Sequence, residues 1–306
     1  MDKKEILSKI DKKYQSLGEN PETYLEGLLH AKPINYWDYV QVDTLLSLQN
    51  PRTDFKDESI FIMYHQITEL VLKLMIHELE QITAPDFNND EKVFAEKVNR
   101  LSRYSEMLIT TFDVMRHGMN YDDYNQFRLT LAPASGFQSA QFRFLELYCT
   151  PLENLINAHG KQRLPKNPTV EDYFDHIYWK DAGHNRQTNK KSLMLTQFEE
   201  KYLDKFIKLA KQMQGNTLEE KFAKIENPTE QLRQALRGFD FMYNVKWPIT
   251  HLKTAQFYLN SKGEHKAATG GSDWMKYLHP KYQQRKFFPN LWSEEEVKNW
   301  GEIKNI

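Results

Sequence analysis

Two histidines occupy sequence settings in which an imidazole could do chemistry. His65 lies within an apolar stretch, and His251 follows an aromatic run that Pro248 interrupts. A single imidazole that projects from an apolar, aromatic helix is what a non-covalently bound haem needs as its axial ligand. A histidine that only completes a hydrophobic core is the commoner outcome at such positions, so the residues themselves leave both roles open.

The sequence contains no suitable set of ligands for a zinc site or an iron–sulfur cluster. A zincin-type site needs two histidines on one helical face. His65 and His77 fall on one predicted helix, but their spacing turns them about 120° apart. Cys149 is the only cysteine, which excludes an internal disulfide framework, a cysteine-rich zinc site and an iron–sulfur cluster.

A second chemical feature is the pair formed by Tyr124 and Arg128. A spacing of four residues places them on one face of a helix. The planar guanidinium matches a carboxylate, and the tyrosine adds a second donor and an aromatic wall. The alternative is a surface arginine stacked on a tyrosine. The later run TGGS, residues 269–272, lacks the Gly-Lys-Ser/Thr ending of a phosphate-binding loop, so nucleotide binding is not favoured.

The elements that would position these residues are helical. Apolar residues at three- and four-residue steps predict helices over residues 57–82, 91–115, 121–131, 139–156, 191–213 and 229–259, the last with a kink at Pro248. Ser293 and Glu296 form a capping box that predicts one more short helix. With only 12 Gly and 12 Pro, a turn-rich β-sandwich or glycine-rich α/β fold is disfavoured. We expect one all-α domain over residues 1–306, with its chemistry in the helical core.

Composition narrows the partners and the compartment. Lys and Arg total 41 and Asp and Glu total 42, so the net charge of −1 gives no global field for nucleic acid or an anionic membrane. No secretory signal begins the chain, and no run of about 18 uncharged apolar residues occurs. With one cysteine, a reducing cytoplasm is expected. We expect no nucleic-acid partner and no membrane partner.

Four segments together resemble the tryptophan 2,3-dioxygenase family. They are residues 36–49 (YWDYVQVDTLLSLQ), residues 61–70 (FIMYHQITEL), residues 127–143 with the run PASGFQS, and residues 251–272 with HLKT and TGGS. They occur in the order typical of the family and extend over most of the chain. The PASGFQS run and the HQxxEL block are the most specific of them.

This resemblance implies a fold, a reaction and an assembly. The family is all-α and binds one non-covalent haem b per subunit in the helical core, typically as a homotetramer built as a dimer of dimers. Its members insert O2 across the indole C2–C3 bond of L-tryptophan. The product is N-formylkynurenine, and the reaction is the first step of tryptophan catabolism through the kynurenine pathway.

The resemblance also assigns roles to individual residues. His251 resembles the proximal haem-iron ligand, and His65 resembles the distal histidine that hydrogen-bonds the indole N–H. Arg128 and Tyr124 resemble the carboxylate-binding pair. The remaining matches are Phe61 as an indole wall, Thr269 at the amino-acid end of the substrate, Leu131 as a pocket residue, Ser135 at the haem edge, and Tyr36, Tyr39 and Val40 in an N-terminal segment, residues 1–40, that enters a neighbouring subunit's pocket.

Some positions depart from the family pattern near the substrate loop. Ala268 replaces the usual glycine before Thr269, and Asp273 with Trp274 replaces the usual Ser-Gly that follows. Two alternatives therefore stay open beside the dioxygenase. One is a haem mono-oxygenase or peroxygenase of the same superfamily acting on another indole or aromatic amino acid. The other is a non-catalytic helical haem-binding protein.

Overall fold

The computed structural model describes residues 1–88, 90–156, 158–185, 190–260, 275 and 278–302. Backbone contacts divide the chain into two compact units, Met1–Asn50 and Pro51–Ile306. Each unit is described by itself below.

The first unit contains four helices. They are α1 (Lys3–Ser16), α2 (Pro21–His30), α3 (Tyr36–Val40) and α4 (Val42–Leu46). The Asp2 carboxylate accepts a hydrogen bond from the Glu5 N–H and starts α1, and Asn20 starts α2 in the same way. The rings of Tyr14 and Tyr24 stack with centroids 4.1 Å apart and join α1 to α2.

The second unit is also helical in its described part. Its α-helices are α5 (Glu58–Ile82), α6 (Glu91–Thr110), α7 (Phe112–His117), α8 (Tyr121–Phe127), α9 (Ala140–Cys149), α10 (Ala158–Lys161), α11 (Val170–Asp175), α12 (Leu193–Met213), α13 (Leu218–Ala223), α14 (Glu230–Phe241), α15 (Trp247–Asn260), α16 (Pro280–Gln283) and α17 (Glu294–Lys298). Short 3₁₀ helices cover Arg128–Thr130, Gly136–Gln138, Leu152–Leu155, Tyr178–Gly183 and Pro289–Leu291, and a π-helical turn covers Met242–Lys246. The strands β1 (His184–Asn185) and β2 (Lys190–Lys191) form a small antiparallel pair.

The largest core joins α5, α6, α14 and α15. On α5 the side chains of Val71, Met75 and Leu79 recur every four residues and are buried. They share this core with Val98 and Leu101 of α6 and with aromatic residues of α14 and α15. A second core forms where α9, α11 and α12 meet. The apolar stripe that periodicity predicts is thus the buried face of each long helix.

The turn before His251 departs from regular α-helix. Residues Met242–Lys246 form a π-helical turn between α14 and α15. Pro248 lacks an N–H and cannot complete the bond to the carbonyl four residues earlier, which accounts for a local widening of the helix. The predicted interruption at Pro248 is confirmed, and it lies one helical turn before His251.

The all-α prediction is confirmed, and the structure corrects several predicted bounds. The predicted helix 91–115 breaks at Thr111 into α6 and α7. The predicted helix 139–156 ends at Cys149, because Thr150 precedes Pro151 and adopts an extended conformation. The capping box at Ser293 and Glu296 opens α17 as predicted.

Helix α5 is long and apolar enough, by length and composition, to cross a membrane. Core helices of water-soluble proteins meet the same criterion. The buried Glu78 of α5 forms salt bridges with Lys97 and Arg100 of α6, at 3.0 and 3.1 Å. Such pairs are expected where two protein helices pack together, so this helix is weak evidence for a membrane span.

Candidate functional site

Helix α5 places Phe61 and His65 one turn apart on the same face. The Nδ1 atom of His65 lies 2.7 Å from the backbone oxygen of Phe61. A carbonyl oxygen only accepts hydrogen bonds, so Nδ1 carries the proton and Nε2 keeps its lone pair. Burial lowers the pKa of His65, which favours the neutral ring. The Nε2 atom is therefore an acceptor suited to an N–H donor.

His251 lies on α15 and combines an exposed side chain with a strongly shifted pKa. Its side chain is exposed, yet the surrounding protein removes enough water to lower its pKa to about 4. The nearby His65 lowers the pKa further, which places the two imidazoles within electrostatic range of each other. The ring of Phe112 stacks on His251, with centroids 5.3 Å apart and planes 27° from parallel. The result is a neutral imidazole that remains accessible to a ligand.

The surroundings of His251 fit a haem. In the described part of the chain, no polar side chain or carbonyl bonds its imidazole nitrogens, so the ring is available to a metal. Within those same residues, no three His, Cys, Asp or Glu side chains converge on one point. A metal held there would need most of its ligands from a non-protein group, and a porphyrin supplies four nitrogens.

Aromatic rings surround the space beside His65. The ring of Phe61 lies 4.2 Å from His65, 6.0 Å from Tyr124 and 5.6 Å from Phe127, measured between centroids. The rings of Tyr124 and Tyr258 are 4.2 Å apart, which joins α8 to α15. Burial raises the pKa of Tyr124, so its hydroxyl stays protonated and can donate a hydrogen bond. This wall suits a flat aromatic group.

Arg128 lies at the end of α8, where the chain continues into the 3₁₀ helix Arg128–Thr130. The residue is 7% exposed. Its positive charge acts on Tyr124, since it opposes the effect of burial on the tyrosine pKa. A buried guanidinium beside a protonated phenol is a suitable donor set for a carboxylate.

Two further predicted site residues, Leu131 and Ser135, lie at the ends of the short 3₁₀ segments that follow α8. Leu131 ends the 3₁₀ helix that Arg128 begins, and its N–H donates to the Arg128 carbonyl at 3.2 Å. Ser135 caps the 3₁₀ helix Gly136–Gln138, with its hydroxyl accepting from the Phe137 N–H. Four further positions lie outside the described residues: Thr269, Ala268, Asp273 and Trp274.

The N-terminal site residues belong to the first unit. Tyr36, Tyr39 and Val40 lie on α3 and are 72%, 77% and 41% exposed. Large apolar side chains that cluster while this exposed usually mark an interaction surface.

Sequence reasoning missed three residues of the site. Tyr258 lies seven residues after His251, so helical spacing could have placed both on one face of α15. Tyr64 and Phe112 carried no comparable signal, because their ring contacts arise only when α5, α7 and α15 pack together.

The helical fold carries a site of two neutral imidazoles, aromatic walls and a buried arginine, which suits an all-α oxidoreductase. The sequence model of the family described as "Tryptophan 2,3-dioxygenase" matches residues 28–241. Because that match extends over more than half of the chain, the chain belongs to the tryptophan 2,3-dioxygenase family. Members of this family are haem-dependent.

Two curated relatives match nearly the whole length, and a third matches a shorter segment. The tryptophan 2,3-dioxygenase of Bacillus anthracis is 28% identical over 296 residues, which span 90% of this chain and 98% of the relative. The enzyme of that name from Ruegeria sp. is 26% identical over 279 residues, 86% of this chain and 92% of the relative. The one from Bradyrhizobium diazoefficiens is 36% identical over 116 residues, 38% of this chain and 41% of the relative.

Proposed function

We propose that the protein is a haem-dependent dioxygenase that inserts both atoms of O2 across the indole C2–C3 bond of L-tryptophan. The product is N-formylkynurenine, which opens tryptophan catabolism through the kynurenine pathway. The observation that carries the proposal is that a chain of this family has a neutral acceptor imidazole at His65 and an exposed, neutral imidazole at His251.

In this proposal His251 is the protein ligand of one non-covalent haem b per subunit, with Ser135 at the haem edge. The haem supplies the activation of O2, which side chains alone do not provide. What supports His251 is its exposed ring and its lowered pKa, since an imidazole must be neutral to bind iron.

The remaining site residues orient the substrate. Arg128 and Tyr124 bind the carboxylate, and Thr269 contacts the amino-acid end. Phe61 and Leu131 line the indole. A ligand held at both ends reacts as if at a high local concentration, which is a proximity effect. Analogues that lack the carboxylate would lose the charge-assisted hydrogen bonds to Arg128 and bind weakly.

His65 orients the indole by accepting its N–H at Nε2. The Phe61 carbonyl fixes the tautomer that makes this possible. An indole nitrogen need not be deprotonated for attack from C3, so His65 acts as a positioning acceptor and not as an obligatory base.

The proposal includes an oligomeric assembly. We propose that residues 1–306 act as one catalytic domain in a cytoplasmic homotetramer, a dimer of dimers, without nucleic-acid or membrane partners. Residues 1–40 would contact a neighbouring subunit, with Tyr36, Tyr39 and Val40 at its pocket. The exposure of these three side chains supports this role.

The direct test is aerobic incubation of the purified, haem-reconstituted and reduced protein with L-tryptophan under isotopically labelled O2. A product heavier than tryptophan by two labelled oxygen atoms, with the absorbance of N-formylkynurenine, is the expected result. A product with one labelled oxygen would instead establish a mono-oxygenase. A haem spectrum that responds to tryptophan without any product would overturn the assignment of the substrate.

A further inference from the structure

Two buried aromatic rings connect the two histidines of the site. Tyr64 precedes His65 on α5, and its ring meets the imidazole edge-on, at 5.1 Å between centroids and 87° between planes. Phe112 opens α7 and stacks on His251. The rings of Tyr64 and Phe112 are 5.6 Å apart, which completes a continuous row from His65 to His251. Tyr64 and Phe112 are only 5% and 6% exposed.

The row is held in place from two helices. The phenol of Tyr64 interacts with the hydroxyls of Thr68, on α5, and Thr111, between α6 and α7. The Thr111 hydroxyl also donates to the Leu108 carbonyl at 3.3 Å. Tyr64 therefore lies beside Phe112, through its ring, and beside Thr111, the residue before Phe112.

The plane of the His251 imidazole needs a contact that fixes it. A histidine that binds metal usually donates its second ring N–H to a carboxylate or carbonyl, and this bond fixes the plane of the ring. In the part of the chain that the structure describes, His251 has no such bond, and Phe112 is the ring that lies against it. The terminal torsion of histidine is broad, so without a support the imidazole could rotate freely.

We infer that Phe112 is a positioning residue that fixes the plane of the His251 imidazole, and that Tyr64 holds Phe112 in that position. The inference rests on the proposed role of His251 as the haem ligand. It assigns to ring stacking the function that a hydrogen bond has at most histidine–metal sites. Tyr64 contacts His65 as well, so its ring supports both imidazoles.

The test compares Phe112→Leu with Phe94→Leu after reconstitution with haem. Phe94 is a fully buried phenylalanine of the same core that contacts Phe87 and neither histidine. Haem dissociation should be about ten-fold faster in Phe112→Leu, and the iron–imidazole vibrational band should shift or broaden. Phe94→Leu should lose folding stability to a similar extent without either change. Equal haem dissociation and equal bands in the two variants would overturn the inference.

Conservative variants separate positioning from packing. Phe112→Tyr keeps a ring against His251 and should restore the band and the dissociation rate, which a loss of core volume alone would not explain. Tyr64→Leu should change the same readouts less than Phe112→Leu. Tyr148→Phe is the control, because it removes from α9 a hydroxyl that contacts Glu80 of α5, and it should leave the readouts unchanged. A Tyr64→Leu variant with wild-type haem behaviour would remove Tyr64 from the inference. These readouts need bound haem only, so they remain informative even if tryptophan proves not to be the substrate.

Discussion

Two regions of the protein hold chemically active polar side chains, and they use them in opposite ways. The first is the imidazole site of His65 and His251. The second is an ionic cluster formed by Arg143, Glu146, Tyr178 and Arg285. In this cluster the Arg143 guanidinium donates to the Tyr178 hydroxyl at 2.7 Å, and that hydroxyl donates to Glu146 at 2.5 Å. Arg285 donates to the same carboxylate at 2.6 Å.

The difference shows how a binding site can be told from a structural network. The ionic cluster satisfies its charges within the protein, and the rings of Phe142 and Tyr178 lie against both guanidinium groups. In the described residues, the imidazole site leaves His65 Nε2 and the His251 ring available to something that is not protein. Desolvation shifts the pKa of a group in both regions, so availability to a ligand is what distinguishes the site.

The largest effect expected from breaking the imidazole site is the loss of haem. His251→Ala removes the proposed iron ligand, so the variant should not retain haem through gel filtration. The free energy of unfolding of the apo protein should stay within about 1 kcal/mol of the wild type, because the His251 side chain is exposed and not part of a packed core. Absorbance measures haem content, and urea unfolding measures stability. His77→Ala, on an exposed position of α5, is the control. Wild-type haem content in His251→Ala would mean that another residue binds the iron.

Breaking the ionic cluster should instead lower the folding stability and leave haem binding intact. Glu146→Gln leaves two buried guanidinium groups without a carboxylate, which costs about 3 to 5 kcal/mol in the free energy of unfolding. Folded protein should still bind haem, since the cluster makes no contact with His251 among the described residues. Urea unfolding measures this loss in the free energy of unfolding. The control is Glu5→Gln, which breaks an exposed pair with Lys9 and should change the free energy of unfolding by about 0.5 kcal/mol or less. A loss below about 1 kcal/mol in Glu146→Gln would contradict a structural role.

The same comparison explains how far the sequence could predict the structure. Helix α5 was predicted over residues 57–82 and spans Glu58–Ile82, because a long apolar periodicity depends only on local spacing. Short helices were missed, although Thr217 and Glu220 form a readable capping box at the start of α13. Breaks at Thr111 and after Cys149 follow from tertiary packing and from a proline, and periodicity alone does not resolve them.

The site was predictable only in part. Resemblance to a family predicts His65, Arg128 and His251 as site residues, and ring contacts through Tyr64 and Phe112 link the two histidines. The ionic cluster carries no sequence signal, since Arg285 and Glu146 lie 139 positions apart and no motif marks them. Contacts of this kind exist only once the helices have packed.

A smaller effect is expected at the proposed carboxylate-binding residue. Arg128→Ala should raise KM for L-tryptophan about 10- to 100-fold, because a charge-assisted hydrogen bond to the substrate is worth about 1.5 to 3 kcal/mol. Haem content should stay normal. Steady-state kinetics measure the change, with Arg103→Ala, an exposed arginine on α6, as the control. An unchanged KM would remove Arg128 from the substrate site and leave it a structural residue like those of the ionic cluster.

The smallest effect concerns an ion pair that lies nearer the surface, between Arg237 and Glu296, with the closest atoms 2.5 Å apart. The hydrogen bond from Arg237, followed by the Ser293 N–H, lowers the pKa of Glu296 to about 2 from its ordinary 4.5. A carboxyl whose pKa is lowered on folding stabilises the protein above the unfolded pKa, and this contribution disappears as the pH falls from 4.5 through 2.

Arg237→Gln should therefore destabilise the protein at about pH 7 by less than about 1 kcal/mol, since the Glu296 side chain is 40% exposed and solvent screens the pair. Urea midpoints at about pH 7 and about pH 3.5 should show the deficit shrinking at the lower pH, because Glu296 is then nearer protonation in the variant and in the unfolded chains. A deficit that is independent of pH would point to the contact between Arg237 and the Trp292 ring instead. A deficit as large as that of Glu146→Gln would show that pairing itself, and not burial, makes the ionic cluster costly to break.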